Sequence, residues 1–318
     1  MRTTLGNTGL VTSRIGLGLA ALGRPGYINV GHGSDLGGHT DEASMEHGAH
    51  RVLDAAYAGG VRYFDAARSY GRAEAFLASW LEQRQLGPSD VTVGSKWGYT
   101  YTAGWRVDAS VHEVKELSAG TLRRQLAETR DLLGPRLRLY QIHSATLDSG
   151  VLDDPAVLEE LARQRASGLA IGLTVTGRGQ AETITRALEV GGFDTVQATW
   201  NLLERAAEPA LAAAHAAGVG VIVKEALANG RLAGRSGVGE LEEAARSLGC
   251  TPDALALAAA LAQPWADVVL SGATTAGQLK SNLDALGIEL APATVHRLDG
   301  LREDPVAYWQ TRTALPWN

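Results

Sequence analysis

The chain has 318 residues, enough for one large domain or two ordinary ones with a sizeable core. Its 29 Lys and Arg against 35 Asp and Glu leave a net charge of −6 with no basic run, so neither a nucleic-acid nor a membrane-surface role is supported. The single cysteine, Cys250, excludes an internal disulfide and fits a reducing compartment. The segment MRTTLGNTGLVTS lacks the apolar core of a signal peptide, and no apolar run reaches membrane-spanning length, so a cytoplasmic location is expected.

Taken in order, residues 1–14 read as a hairpin around the turn cluster Gly6-Asn7-Thr8-Gly9. A buried strand is predicted over 14–19. Residues 24–40, RPGYINVGHGSDLGGHT, are Gly-rich and too long for a plain connection, which marks them as a functional or mobile loop. Met45, Ala49, Val52, Leu53 and Ala56 then fall at helical spacing before Gly59-Gly60. The rhythm repeats with strands predicted over 61–66, 91–96, 137–143, 169–175, 195–200, 219–225 and 266–272. Helices are predicted near 73–86, 121–133, 155–166, 179–190, 205–216, 236–262 with a restart at Pro252, 276–286 and 292–302. A second irregular insert, 97–116, is rich in Trp and Tyr, and the tail LPWN reads as loop.

Eight strands of mostly branched apolar residues, each followed by a helix, with no linker and no shift of composition at the midpoint, predict one (β/α)8 barrel spanning 1–318. Two Rossmann halves are the competing arrangement. Gly16-Leu17-Gly18-Leu19 supplies only a Gly-x-Gly, without the third glycine opening a helix.

The stretch VRYFDAARSYG, 61–71, brings a carboxylate and a phenol to the carboxyl end of the second strand. Taken alone, Asp65 and Tyr70 could be a helix cap and a half-buried ring. Lys96 ends the third strand, however, and His143 the fourth, so four titratable groups of four kinds gather at one pole of the predicted barrel, where ligands bind. A phenol titrates near pH 10; a neighbouring ammonium is expected to lower that value, and a carboxylate to keep the ammonium charged and aimed. Tyr70 would then donate a proton to an oxygen gaining negative charge, helped by His143. Such chemistry needs a hydride source that side chains do not supply.

TLGNTGLVTSRIGLG, FDAARSYGRAE, GSKWG and YQIH together resemble the aldo-keto reductase superfamily over nearly the entire chain. The resemblance implies a catalytic tetrad of Asp65, Tyr70, Lys96 and His143, with Tyr70 as general acid, acting on a small-molecule carbonyl or alcohol. It also implies a nicotinamide cofactor: NADP(H) by family habit, with NAD(H) open. Its contacts would come from Gly18, Asp65, Thr174 and Gln197 at the nicotinamide. VIVKEALANGRLAG would cover the pyrophosphate through Leu227, Asn229 and Gly230. LSGATTAGQLKSNLDAL would hold the adenosine end through Ser271, Gly272, Thr274, Gln278 and Asn282. Small residues there let backbone N–H groups approach phosphate oxygens.

The chain departs from the family in three places. Thr174-Val175 stands where Ser-Asn is common. Lys224 stands where an aromatic ring usually stacks on the nicotinamide, unless Trp200 takes that place. Thr274-Thr275 stands where a cation often grips a 2′-phosphate, with Lys280 nearby. Trp97, Tyr99, Tyr101 and Trp105 are expected to wall a substrate pocket. Tyr27, His32, Asp35 and His39 have no diagnostic ligand spacing, and no metal site is expected from them. Two other functions fit the same fold: a cofactor-bound regulatory module with little turnover, and a non-redox barrel using Tyr70 and His143 as acid and base.

Overall fold

The computed structural model describes residues 2–234 and 237–318. The first two strands, β1 (Arg2–Thr4) and β2 (Val11–Ser13), pair antiparallel as the predicted hairpin. The barrel strands follow: β3 (Ile15–Gly18), β4 (Tyr63–Asp65) and β5 (Thr92–Trp97), then, after a two-stranded hairpin of β6 (Tyr99–Tyr101) and β7 (Glu113–Lys115), β8 (Leu137–Ala145), β9 (Ala170–Val175), β10 (Thr195–Thr199), β11 (Gly220–Lys224) and β12 (Val268–Ser271). All eight barrel pairings are parallel, and Val269, Leu270 and Ser271 of β12 pair with Ile15, Gly16 and Leu17 of β3 to close the ring. This is the (β/α)8 barrel that the alternation of strands and helices predicts.

The helices are α1 (His32–Leu36), α2 (Glu42–Ala58), α3 (Ala73–Gln83), α4 (Ala119–Leu133), α5 (Pro155–Ala166), α6 (Gln180–Val190), α7 (Glu208–Ala216), α8 (Gly239–Leu248), α9 (Pro252–Leu261), α10 (Ala276–Asp284), α11 (Pro292–Asp299) and α12 (Pro305–Thr313). In α2, Asp41 accepts the N–H of Ser44 at 2.9 Å, and the buried face is Met45, Ala49, Val52, Leu53 and Ala56, the periodic set read from the sequence. The expected start, at 236, of the helical stretch 236–262 lies outside the described residues; α8 begins at Gly239. The last helix, α12, corrects the expectation that the chain finishes in helix at 302. Asp304 caps it by accepting from Val306 and Ala307, and Pro305 opens it. Its buried face is only Tyr308 and Trp309, too narrow a stripe to show as periodicity.

The hairpin plugs the amino-terminal pole. Leu5 and Leu10 pack with Tyr63, Leu139, Ile222, Val268 and Leu270 beneath the barrel interior. Gly6 allows the approach: its φ is +48°, and a Cβ there would stand 2.3 Å from the amide nitrogen of Gly220. With one end sealed by apolar side chains, the polar interior faces the other. No helix among the described residues is long and apolar enough to cross a membrane.

Candidate active site

Asp65 ends β4 pointing into the barrel, 2% exposed. A carboxylate so placed must have its lone pairs satisfied. Oδ1 accepts from the Tyr63 hydroxyl at 2.9 Å and from the amides of Gln141 and Gln197, each at 3.2 Å. Oδ2 accepts from Lys96 Nζ, which also donates to the carbonyl of Ala66 at 2.9 Å. Tyr63 lies two residues before Asp65 and Gln141 two before His143, so strand alternation turns each pair to the same face. Strand alternation is thus the sequence signal that places Tyr63 and Gln141 in the site, although neither is among the sequence candidates.

Tyr70 reaches the cavity from the turn after β4. Gly23 permits that turn to pack closely, since a Cβ there would lie 2.2 Å from the carbonyl oxygen of Tyr70 and 2.5 Å from the Cβ of Ala73. Gly23→Ala is therefore expected to cost about 1–3 kcal/mol by overpacking and to displace Tyr70. A denaturant midpoint unchanged from the parent would contradict this. Tyr70 Oη lies 3.5 Å from His143 Nε2, and the two rings meet edge to face at 5.4 Å. His143 Nδ1 lies 3.4 Å from the hydroxyl of buried Ser69. The imidazole is aimed by an irregularity in β8, whose register to β9 shifts between Ile142 and Ala145, with Ser144 at φ +55° and its N–H donated to Thr174 Oγ1 at 2.7 Å.

The electrostatics correct one expectation. Lys96 does not hydrogen-bond the phenol; its ammonium stands over the Tyr70 ring, 4.8 Å from the centroid, with Asp65 and Ala66 as its partners. Burial, reinforced by the charge of Asp65, pushes Tyr70 well above the usual phenol value. Burial, with Lys96 and Arg24 adding to it, holds His143 well below the usual imidazole value. The site thus presents a protonated phenol and a neutral imidazole.

Arg24, missed by the sequence reading, sits at the same mouth. Only 3% exposed, it donates to the Ser69 carbonyl at 3.1 Å and to Glu113 at 3.0 Å, and its guanidinium lies about 5 Å from the ring centres of Tyr27, Tyr70 and Trp317. Trp317 belongs to the tail. Asn318 bonds the backbone of Tyr27 in both directions, and its side chain donates to Asn29 and accepts from Gly33. Nothing in the local sequence of Trp317 and Asn318 marks them for that place. Across the opening, Val30 donates to the carbonyl of Asn229 at 2.9 Å, so the 24–40 loop spans the cavity.

These groups line a cavity of about 580 Å³ that runs from Asp65, Tyr70 and His143 to the start of α10. Gly18, Thr174, Gln197 and Lys224 line it near the tetrad. Leu227, Asn229 and Gly230 line its flank, and Ser271, Gly272, Thr274, Gln278 and Asn282 its far end. Lys224 donates to Thr199 at 3.0 Å beside Glu225. Against the upward push of burial, Lys224 and Arg312 hold the Glu225 carboxyl at about 2. A groove of comparable volume at the opposite pole, bordered by Asn7, Arg165 and Asp194, lacks such convergent groups.

Several sequence candidates lie elsewhere. Trp200 is buried, donates to Glu208 at 3.1 Å and packs on Trp265, away from the cavity. Trp97 is wholly buried in the core; it follows Lys96 on β5, and neighbouring strand residues face opposite ways. Tyr101 and Trp105 border a separate cleft with Arg72 and Gln125, where Trp105 packs against Phe76 and donates to Thr40. Of the four aromatic residues only Tyr99 nears the site, 4.9 Å from the His143 ring. Of the four loop residues considered for a metal, His32 is buried against Tyr27, Asp35 accepts from Gln278 and His39 is exposed. Among the described residues no group of three or more His, Cys, Asp or Glu could hold a metal ion.

Comparison with known proteins gives three relatives at about one quarter identity. The chain is 27% identical over 351 residues to a Bacillus subtilis protein named an uncharacterized oxidoreductase, YrpG, with 99% of both chains covered. It is also 27% identical over 330 residues to the NADH-specific methylglyoxal reductase of Escherichia coli, covering 91% of this chain and 94% of that one. The holo form of the aldo-keto reductase AKR11C1 from Bacillus halodurans superposes with a TM-score of 0.73 at 23% identity, covering 94% and 95% of the two chains, a likeness of fold. The family model for the aldo/keto reductase family matches residues 14–303, so the chain belongs to that family of oxidoreductases.

Proposed function

We propose that the chain transfers a hydride between a nicotinamide dinucleotide and an aldehyde or ketone, or runs the reverse on the corresponding alcohol or sugar hydroxyl. One observation carries this reading: Tyr70 Oη and His143 Nε2 converge 3.5 Å apart in a deep cavity, above a carboxylate that four side-chain donors hold in place. The residues suit the cofactor. Gly18, Gly272 and Gly277 leave backbone open along the lining, and a Cβ at Gly272 would meet nothing within 4 Å. Gln197 and Thr174 line the cavity and would hold the carboxamide, and Gly230 and Asn229, also in the lining, would flank the pyrophosphate. When bound, the nicotinamide supplies the hydride.

The chain's own residues handle the oxygen. Tyr70, kept protonated by burial, donates its proton to the carbonyl oxygen as negative charge grows there. His143, kept neutral, orients and polarises the same oxygen. Asp65 and the Ala66 carbonyl hold the Lys96 ammonium over the face of the phenol ring. Arg24 and the tail close over the mouth and restrict water. Three residues of the family tetrad thus surround one phenol, and the whole chain serves as a single catalytic unit.

The name of the Escherichia coli relative directs the test toward small dicarbonyls. A panel of methylglyoxal, short aldehydes and aldoses, followed at the nicotinamide absorbance band with NADH and with NADPH, is expected to show turnover. No turnover with any carbonyl, together with no binding of either nucleotide, would sink the reading.

A further inference from the structure

A neutral imidazole carries its proton on one nitrogen and offers a bare lone pair on the other, and the chemistry above needs the proton on the nitrogen that faces the substrate oxygen. The two nitrogens of His143 have different neighbours. Nε2 lies 3.5 Å from Tyr70 Oη, which lines the cavity, and Nδ1 lies 3.4 Å from Ser69 Oγ, which does not.

Which nitrogen holds the proton is decided by what Ser69 can do with its own. Ser69 is wholly buried, and among the described residues its hydroxyl has no partner other than His143. A buried O–H left without an acceptor costs free energy, and here the acceptor within reach is Nδ1. With the proton on Nδ1 instead, the imidazole would donate to Oγ and leave the Ser69 proton with nowhere to go. The backbone that carries Oγ is pinned on three sides. The N–H of Arg68 donates to the Lys96 carbonyl at 3.1 Å, and the N–H of Tyr70 to the Ala67 carbonyl at 3.1 Å. Arg24, itself tied to Glu113, donates to the Ser69 carbonyl at 3.1 Å.

We infer that Ser69 is a positioning residue that sets His143 as the tautomer with Nδ1 bare and the proton on Nε2, which makes His143 a hydrogen-bond donor to the substrate oxygen. The inference deepens the carbonyl-reduction reading above and rests on it for its catalytic consequence. In this tautomer the Nε2 proton points at Tyr70 Oη, or at a carbonyl oxygen bound between them, and the Tyr70 proton stays free to move to that oxygen. In the other tautomer Nε2 is a bare acceptor beside the phenol. It draws the Tyr70 proton to itself and turns a lone pair toward the incoming oxygen. Ser69 lies outside the lining, so it acts through His143.

NMR spectra of the histidine ring nitrogens, taken on the parent, on Ser69→Ala and on His143→Asn, read the tautomer directly. The last variant identifies the His143 signals among those of the eight histidines by their loss. In the parent at neutral pH, Nε2 is expected as the protonated nitrogen and Nδ1 as the bare, hydrogen-bonded one. Ser69→Ala removes one hydroxyl. It should move the Nδ1 signal, admit the tautomer protonated there, and lower kcat for carbonyl reduction about tenfold or more with nucleotide affinity unchanged. A melting temperature close to the parent's shows that the variant folds. A parent protonated on Nδ1, or an Nδ1 signal that Ser69→Ala leaves in place, overturns the role of Ser69. A changed spectrum with kcat unaltered overturns its bearing on catalysis. If the parent reduces no carbonyl, the redox reading fails and the spectra still decide the tautomer.

Discussion

Replacing Tyr70 with Phe is expected to lower carbonyl turnover by about 10²–10⁴-fold while leaving nucleotide affinity close to that of the parent. The substitution removes one oxygen and leaves the ring, so the edge-to-face contact with His143 and the ammonium over the ring face persist. What disappears is the proton donor. Because burial holds the Tyr70 hydroxyl in its protonated form, no other described group stands ready at that point: His143 is neutral, and Lys96 is engaged by Asp65 and Ala66. The measurement is kcat and KM with the best carbonyl of the panel, set beside a nucleotide titration. A loss smaller than about tenfold would move the proton-donating role away from Tyr70, while a parallel loss of nucleotide binding would show that the hydroxyl shapes the cavity instead.

Lys96→Met should destabilise the fold by about 3–5 kcal/mol, the cost of leaving a buried charge without its counter-ion. Lys96 is 1% exposed and Asp65 2%, so water cannot take the place of the ammonium. Tyr63, Gln141 and Gln197 would still donate to Oδ1, but no described cation would face Oδ2. Adding Asp65→Asn to Lys96→Met removes the stranded charge and should restore a good part of the lost stability, though not the activity. Urea unfolding of the two single variants and the double variant forms a cycle whose coupling is expected to be strongly favourable. If Lys96→Met unfolds within about 1 kcal/mol of the parent, the pair contributes little and Asp65 is held by its neutral donors.

The same pair shows how far local reading reaches. Asp65, Tyr70, Lys96 and His143 could be picked out because each stands at the end of an apolar strand, where a charged or polar side chain is locally conspicuous. Strand alternation on its own already sends Trp97 to the side opposite Lys96, yet the aromatic composition of 97–116 drew attention to the whole loop. That loop folds as β6 and β7, and its contributions to the site are Tyr99 and Glu113; the latter is an acidic residue with no local mark. Proximity to the Lys96 ammonium alone would lower the Tyr70 value. Burial reverses its direction, because removing a phenol from water penalises the anion before any neighbour acts.

By itself the sequence determined the alternation of eight strands with helices, the buried stripe of α2 from Met45 to Ala56, and the polar residues at the strand ends. All of these are set by period and by near neighbours along the chain. Only the tertiary structure decided that Arg24, Arg312 and Trp317 share the mouth with Tyr70, that α12 and the tail return over it, and that Asp35 and Asp253 line one cavity. The reason is ring closure. Pairing β12 with β3 brings together residues more than two hundred positions apart, and no local pattern of hydrophobicity or turn chemistry encodes which distant side chains will then face one another.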